Sequence, residues 1–301
     1  MLAIDLAFDA RGRRNAASAS SPAPQSLRAA AWWSAAWIGL GLLFGLVVLA
    51  LADVHAMVTY YTAYVLEKSL SVDNLFVFAL IFTELNIPAA YQRRVLYWGI
   101  LGALVTRGLL IAGGVRLLEI FSWAIYPLAA LVLFAAVRLL FGEAKERKVV
   151  SAACAACGSW VANFIPVTPV MRGGSFWIRQ NGRLIATPLF IALIIIELSD
   201  VVFALDSIPA VLAITRDAFL IYTSNVFAML GLRSLYFLLA GAIQRFRALR
   251  YALGVILVFV GAKMLLGAII DIPSWISLAV IIVIIAVTII ACLANEKRAA
   301  I

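Results

Sequence analysis

Residues 67–80 read Glu-Lys-Ser-Leu-Ser-Val-Asp-Asn-Leu-Phe-Val-Phe-Ala-Leu, and residues 200–213 read Asp-Val-Val-Phe-Ala-Leu-Asp-Ser-Ile-Pro-Ala-Val-Leu-Ala. Each stretch sets an acid six residues ahead of an Asp that a small polar residue follows. Glu67 thus aligns with Asp200, Asp73 with Asp206 and Asn74 with Ser207, all at an offset of 133 residues. The correspondence continues downstream with small gaps. Arg107 in Thr-Arg-Gly-Leu-Leu pairs with Arg233 in Leu-Arg-Ser-Leu-Tyr, and Arg138-Leu-Leu-Phe-Gly with Lys263-Met-Leu-Leu-Gly. Leu, Val and Ala matches between apolar segments carry no weight. Polar matches in unbroken order do.

These polar residues sit in a membrane composition. The chain is 65% hydrophobic and 13% charged over 301 residues, where a soluble domain carries roughly a quarter charged residues. Most of the length falls in apolar runs of about 20 residues, the span of a hydrocarbon core. Runs such as 191–196 and 280–290 are continuous rather than alternating, so helices are expected and a barrel is not. The expected fold is all-α with eight transmembrane helices near 32–52, 54–83, 93–115, 121–141, 187–214, 218–243, 250–270 and 273–293. A tail covers 1–31, with its Ser/Pro-rich part at 11–26 expected to be mobile. Span one is peripheral (32–52), 54–142 forms the first repeat, and 143–186 is one long cytoplasmic loop. The second repeat covers 187–270, and 271–301 holds the last span and a short tail.

Orientation follows from the Lys and Arg between spans. Seventeen, from Arg11 to Arg298, collect on one side if the tail is cytoplasmic, against only Arg116 and Arg216 on the other. That asymmetry places both termini inside and accounts for the net charge of +9 without nucleic acid. Each repeat has three spans, the second to fourth and the fifth to seventh. Three is odd, so the second unit enters the bilayer from the opposite side, as in inverted-repeat transporters whose site lies at the midplane.

Five acids fall inside the expected spans: Glu67, Asp73, Glu197, Asp200 and Asp206. Each costs about 2.5–3.5 kcal/mol near a helix centre, so together they demand compensation on the order of a domain's whole stability. Embedded bases exist for this: Lys68, Arg107, Arg138, Arg233 and Lys263. Purely structural pairing is therefore one reading. It leaves unexplained why the acids crowd into the second and fifth spans while four of the bases lie on other spans. A carboxylate cluster between the repeats reads as a cation site, with the bases as charge compensation or gates.

At about 100° per residue, Glu67 and Asn74 share a face, as do Asp200 and Ser207, while Asp73 and Asp206 stand about 120° away. Pro209 cannot donate to the carbonyl of Leu205, so a kink or unwinding is expected at Asp206-Ser207, with that carbonyl freed as a ligand. Carboxylates, Asn74, Ser207 and Asn225 are all oxygen donors and suit Mg2+, Ca2+ or Mn2+. His55 stands at a span edge and Cys292 lies outside the repeats, which argues against zinc or copper. Cys154 and Cys157 form a lone C-x-x-C without the second pair a zinc site wants. Glycines 39, 41, 45, 99 and 102 read as small-residue helix packing, and Trp32, Trp33 and Trp37 as interfacial anchors.

At these motifs the sequence resembles the TerC family of membrane proteins, in particular its Alx-type bacterial branch. The resemblance rests on the stretch from Glu67 to Val77, Gln92-Arg-Arg-Val-Leu and the stretch from Glu197 to Ala210. Thr223-Ser-Asn-Val-Phe-Ala and the stretch from Leu230 to Gly241 carry it further, and it covers nearly all of the chain from residue 27. It implies metal homeostasis at the bacterial inner membrane, with Mn2+ as the exported ion and an association with tellurium resistance. Carried over by position, it implies Glu67, Asp73, Asn74, Glu197, Asp200 and Asp206 as the metal-binding set. It also implies a further helix ahead of this region, whose last turns residues 1–6 resemble.

The expected function is thus secondary transport of a divalent cation, with Ca2+ or another cation/proton antiport as the alternative. A non-transporting assembly protein built on structural charge pairs is the rival from another class. No ATP-binding loop of the Walker type occurs, so the drive would be a gradient. No enzymatic activity and no prosthetic group are expected. The expected partners are the lipid bilayer and the ion, with a homo-oligomer left open.

Overall fold

The computed structural model describes residues 27–141, 146–168, 171, 174–180, 183–239, 247–266 and 272–299. The N-terminal tail and Arg172, Arg245 and Gly267 lie outside the described residues, as do the side chains of Asp73 and Cys292.

Helix α1 spans Leu27–Leu51, and α2 spans Val54–Glu84 behind an Asp53 cap whose carboxylate accepts from the Ala56 amide at 2.7 Å. Then come α3 (Ala89–Ile120), a single 3-10 turn at Ser122–Ala124, and α4 (Ile125–Phe141). The next elements are α5 (Glu146–Phe164) and the antiparallel hairpin of β1 (Trp177–Gln180) and β2 (Arg183–Ala186). The segment expected as plain loop therefore contains a helix and a hairpin. The last helices are α6 (Pro188–Leu212), α7 (Ala218–Leu230, capped by Asp217), α8 (Leu232–Leu239), α9 (Arg247–Leu266) and α10 (Ser274–Ala299).

The architecture among the described residues is almost entirely α-helical, with one small hairpin. Five stretches of the described residues are long and apolar enough to cross a bilayer: Arg28–Leu51, Ala89–Ile120, Ser122–Phe141, Pro188–Leu212 and Ala218–Leu238. The 31-residue α2 has the length, but gathers Glu67, Lys68 and Asp73 within seven residues. Helices α9 and α10 contribute the shorter apolar stretches Tyr251–Leu266 and Ser274–Thr288.

Packing is reciprocal. Helix α3 packs on α6, α2 on α7, α4 on α9, and α2 on α6, while α1 and α10 lie against α2. The α4–α9 seam closes on glycine: a Cβ at Gly254 would stand 2.6 Å from Leu140, and one at Gly261 2.8 Å from Leu133. Gly41 and Gly45 likewise seat Tyr64 and Tyr61, and Gly99 seats Ile196. Gly39 departs from this pattern and faces open space. Trp32 and Trp33 are exposed, but Trp37 is buried and packs beside Gly231, so it is a packing residue rather than an interfacial anchor.

Two backbone expectations change. Helix α6 runs unbroken through Pro209. Residues 207–212 are all buried, and their packing holds the helical backbone despite one missing donor. The break falls instead at Gly231, which divides the expected span 218–243 into α7 and α8. Glycine is among the poorest helix formers, and here Lys68 Nζ donates to the Ala228 carbonyl at 3.0 Å. The carbonyl freed by a helix break thus belongs to α7 and is occupied by Lys68.

Candidate functional site

The α2 face that carries Glu67, Ser71 and Asn74 turns inward because these residues recur at helical spacing, and all three are buried. Helix α6 presents Asp200 and Ser207 in the same way, and both are buried. Between them comes Arg107 of α3, 1% exposed. Its Nη1 donates to Glu67 Oε2 at 2.9 Å. Its Nη2 and Nε donate to Asp200, at 3.0 Å to Oδ1 and 3.1 Å to Oδ2. Ser207 Oγ completes the set at 3.5 Å from Nη1. The planar fork of the guanidinium suits such a bidentate grip, which a lysine could not make.

One guanidinium therefore serves two carboxylates, and the group keeps unspent polar capacity. Ser71 Oγ is buried without a hydrogen-bond partner among the described residues, and Glu67 and Asn225 neighbour each other with Oε1 and Nδ2 outside close hydrogen-bond geometry. Buried polar atoms are nearly always satisfied, so this cluster is suited to water or an ion.

Arg107 also lines a cavity of about 80 Å³. Asn74, Ser207, Asp206, Arg107 and Arg138 supply its polar lining, and Leu70, Ala135, Leu139, Val202, Phe203 and Leu257 its apolar walls. The volume admits a few waters or a partly hydrated cation. Asp206 is the carboxylate of the lining and stands with Arg107 and Arg138, while Glu67 and Asp200 are bound to Arg107 from outside it.

The remaining expected residues separate from this centre. Glu197 lies one turn before Asp200 with its carboxylate against Gly102, where a Cβ would overlap it. Lys68 holds the Ala228 carbonyl and Lys263 donates to Ser277 Oγ at 2.9 Å, so each is tied to other parts of the bundle. Arg233 is half-buried on α8. Asp73 belongs to α2, with its side chain outside the described set. Among the described residues no three His, Cys, Asp or Glu side chains converge as a ready metal cluster. Ser71 was not singled out from sequence, although its place four residues after Glu67 and three before Asn74 puts it on their stripe.

Outside the spans, Cys154 is buried and Cys157 partly so, and both are free thiols. Burial, with Glu84 and Cys157 adding to it, pushes the Cys154 thiol up to about 11, and burial raises Cys157 as well. Redox-active dithiols have the opposite shift.

Residues 52–300 match the sequence profile described as "Integral membrane protein TerC family". An uncharacterized membrane protein of Myxococcus xanthus is 44% identical over 267 residues, covering 89% of this chain and 83% of its own. The "Putative membrane-bound redox modulator Alx" of Escherichia coli K12 is 42% identical over 297 residues, covering 96% and 89%. An uncharacterized membrane protein of Rickettsia bellii is 41% identical over 243 residues, covering 81% and 80%. No solved structure matches the chain. With a match over most of its length and relatives this similar, the chain belongs to the TerC family of integral membrane proteins.

Proposed function

We propose that the chain is a secondary transporter that exports a divalent cation, Mn2+ in the reading that the family resemblance favours, across the bacterial inner membrane. One observation carries the proposal: a polar cavity lined by Asp206, Asn74 and Ser207 abuts the buried Glu67–Arg107–Asp200 network. Asp206, Asn74 and Ser207 offer it oxygen donors, which suit a hard cation. The family resemblance adds Asp73 and Glu197 to the candidate ligands, Glu197 reaching the cavity only by leaving its place against Gly102. Arg107 and Arg138 act as resident counter-ions that hold the carboxylates while no cation is bound.

The reciprocal packing of α3 on α6 and α2 on α7 supports two three-span repeats in inverted orientation, within eight spans and with both termini cytoplasmic. Rocking of one repeat against the other would then expose the cavity to each side in turn. Carboxylates that release a cation can take up protons, so proton exchange is the drive we favour. Thiol redox chemistry finds no support in Cys154 and Cys157, whose raised pKa values keep them protonated near neutrality.

The test is Mn2+ flux into proteoliposomes for the wild type, Asp206→Asn and Asp73→Asn, with Ca2+ and Mg2+ as competitors. Loss of more than about tenfold in both variants, equal to about 1.4 kcal/mol or more in barrier, is the expected result. The second reading, a non-transporting protein with structural charge pairs, is favoured by the engagement of both Glu67 and Asp200 with Arg107. Folded wild type that moves no divalent cation under any imposed pH gradient would decide for it.

A further inference from the structure

Helix α5 carries two apolar stripes. At about 100° per residue, Val150, Cys154, Cys157 and Val161 centre near 110° from Val149. These residues are buried or partly buried, on a helix that packs against α2 and α6. A second stripe of Val149, Ala153, Ala156, Trp160 and Phe164 centres near 20° on the same scale. All five are exposed, with Val149 at 55%, Trp160 at 58% and Phe164 at 71%. The rings of Trp160 and Phe164 touch each other, with centroids 5.2 Å apart. Exposed Ser159 and Asn163 take the arc near 280–320°. The bundle-facing stripe, the exposed apolar stripe and the exposed arc of Ser159 and Asn163, which Ala152 shares, thus occupy three successive sides of α5, roughly 90° apart.

The contacts of α5 locate it at a membrane boundary. Ser151 Oγ donates to Glu84 Oε1 at 2.6 Å, and Glu84 is the last residue of α2. Two turns later, a Cβ at Gly158 would meet Ile191 Cδ1 at 4.0 Å, and Ile191 belongs to the first turn of the α6 span. The helix rises about 10 Å between these points, yet both fall at ends of long bundle helices, so α5 runs along the boundary and not across the bilayer. Its apolar stretch Val149–Phe164 is also shorter than a crossing. The hairpin joins the same level: Trp177 packs on Phe190, ring centroids 4.1 Å apart, and Arg179, Leu184 and Arg183 are exposed beside it. Trp, Leu and long basic side chains together form the pattern of a headgroup boundary, where arginines reach phosphates and rings sit at the acyl margin.

We infer that α5 is an interfacial helix whose Val149–Ala153–Ala156–Trp160–Phe164 stripe is embedded in the acyl-chain margin of the leaflet beside α2 and α6, with membrane lipid as its occupant. The segment expected as a cytoplasmic loop is then a lipid-contacting element clamped to both carboxylate-bearing helices.

The full-length protein in phosphatidylcholine–phosphatidylglycerol vesicles provides the test, with nitroxides at Ala153→Cys, Trp160→Cys and Ser159→Cys in a Cys154→Ala/Cys157→Ala/Cys292→Ala background. Labels at 153 and 160 are expected to collide with oxygen more than with an aqueous nickel chelate, and the label at 159 the reverse. Nickel-dominated collisions at all three positions would overturn the inference. Shielding of 153 and 160 from both reagents would overturn it too, and would identify a second copy or another protein as the occupant. Should the cysteine-free background not fold, Trp160→Phe in the native background gives an independent reading. The emission lost in that variant should be quenched by lipids brominated near the acyl margin and spared by aqueous iodide, and the opposite pattern would refute the inference.

Discussion

A single guanidinium between two carboxylates makes Arg107 the residue on which the interior depends most. Glu67 and Asp200 can remain buried because Arg107 answers both, and removing one member of such a group leaves charge without compensation. Arg107→Gln should therefore destabilise the protein by about 3–5 kcal/mol, measurable as thermal unfolding in detergent. Adding Asp200→Asn to Arg107→Gln should restore part of that loss, because the orphaned charge is then gone. Strict additivity of the two losses would show that the pair is not coupled. Sequence alone already singled out Glu67, Asp200 and Arg107, since charges in apolar spans are conspicuous. It could not show which acid meets which base, because partners 93 residues apart are chosen by helix packing and not by local spacing. Glu197 illustrates the same limit: its place depends on the missing side chain of Gly102 across an interhelical contact.

Among the elements, the break at Gly231 shows how packing overrides local signals. Pro209 is the stronger breaker by propensity, yet α6 stays helical through it and the interruption falls between α7 and α8. At Gly231 a Cβ would stand 3.0 Å from both Lys68 Nζ and Trp37 Cβ. Lys68 is a long side chain that can yield, whereas Trp37 is buried and its Cβ is fixed to the α1 backbone. Gly231→Ala should accordingly cost about 1–3 kcal/mol through overpacking, despite alanine's better helix propensity. Gly39→Ala supplies the contrast, because nothing lies near that position and only the propensity gain of up to about 1 kcal/mol remains. Unfolding midpoints that move in opposite directions for the two variants would support this account. Equal shifts would place the break's cause elsewhere. Helix positions were legible from apolar run length, and helix α5 was missed because alanine, cysteine and serine give its apolar faces little contrast in sequence.

For the molecule as a whole, the proposed repeat has the widest consequences, and the packing gives it a form that can be checked. If two three-span units are related by a two-fold axis in the membrane plane, the first helix of each must pack on the second helix of the other. Helix α2 does pack on α7, and α6 on α3, while the third members α4 and α9 pack on each other. Opposite orientation then requires equivalent turns of the two units to face opposite sides of the bilayer. Asn86 follows α2, and Arg216 follows its counterpart α6. In a cysteine-free background, cysteines at these two positions should react with a membrane-impermeant maleimide from opposite sides of oriented vesicles. The positive-inside count places position 86 on the cytoplasmic side and position 216 outside. Labelling of both from one side would rule out the inverted arrangement, and with it a site shared between two rocking halves. Labelling from opposite sides would leave the Asp206 cavity where alternating access needs it, in contact with both units through Asn74 and Ser207.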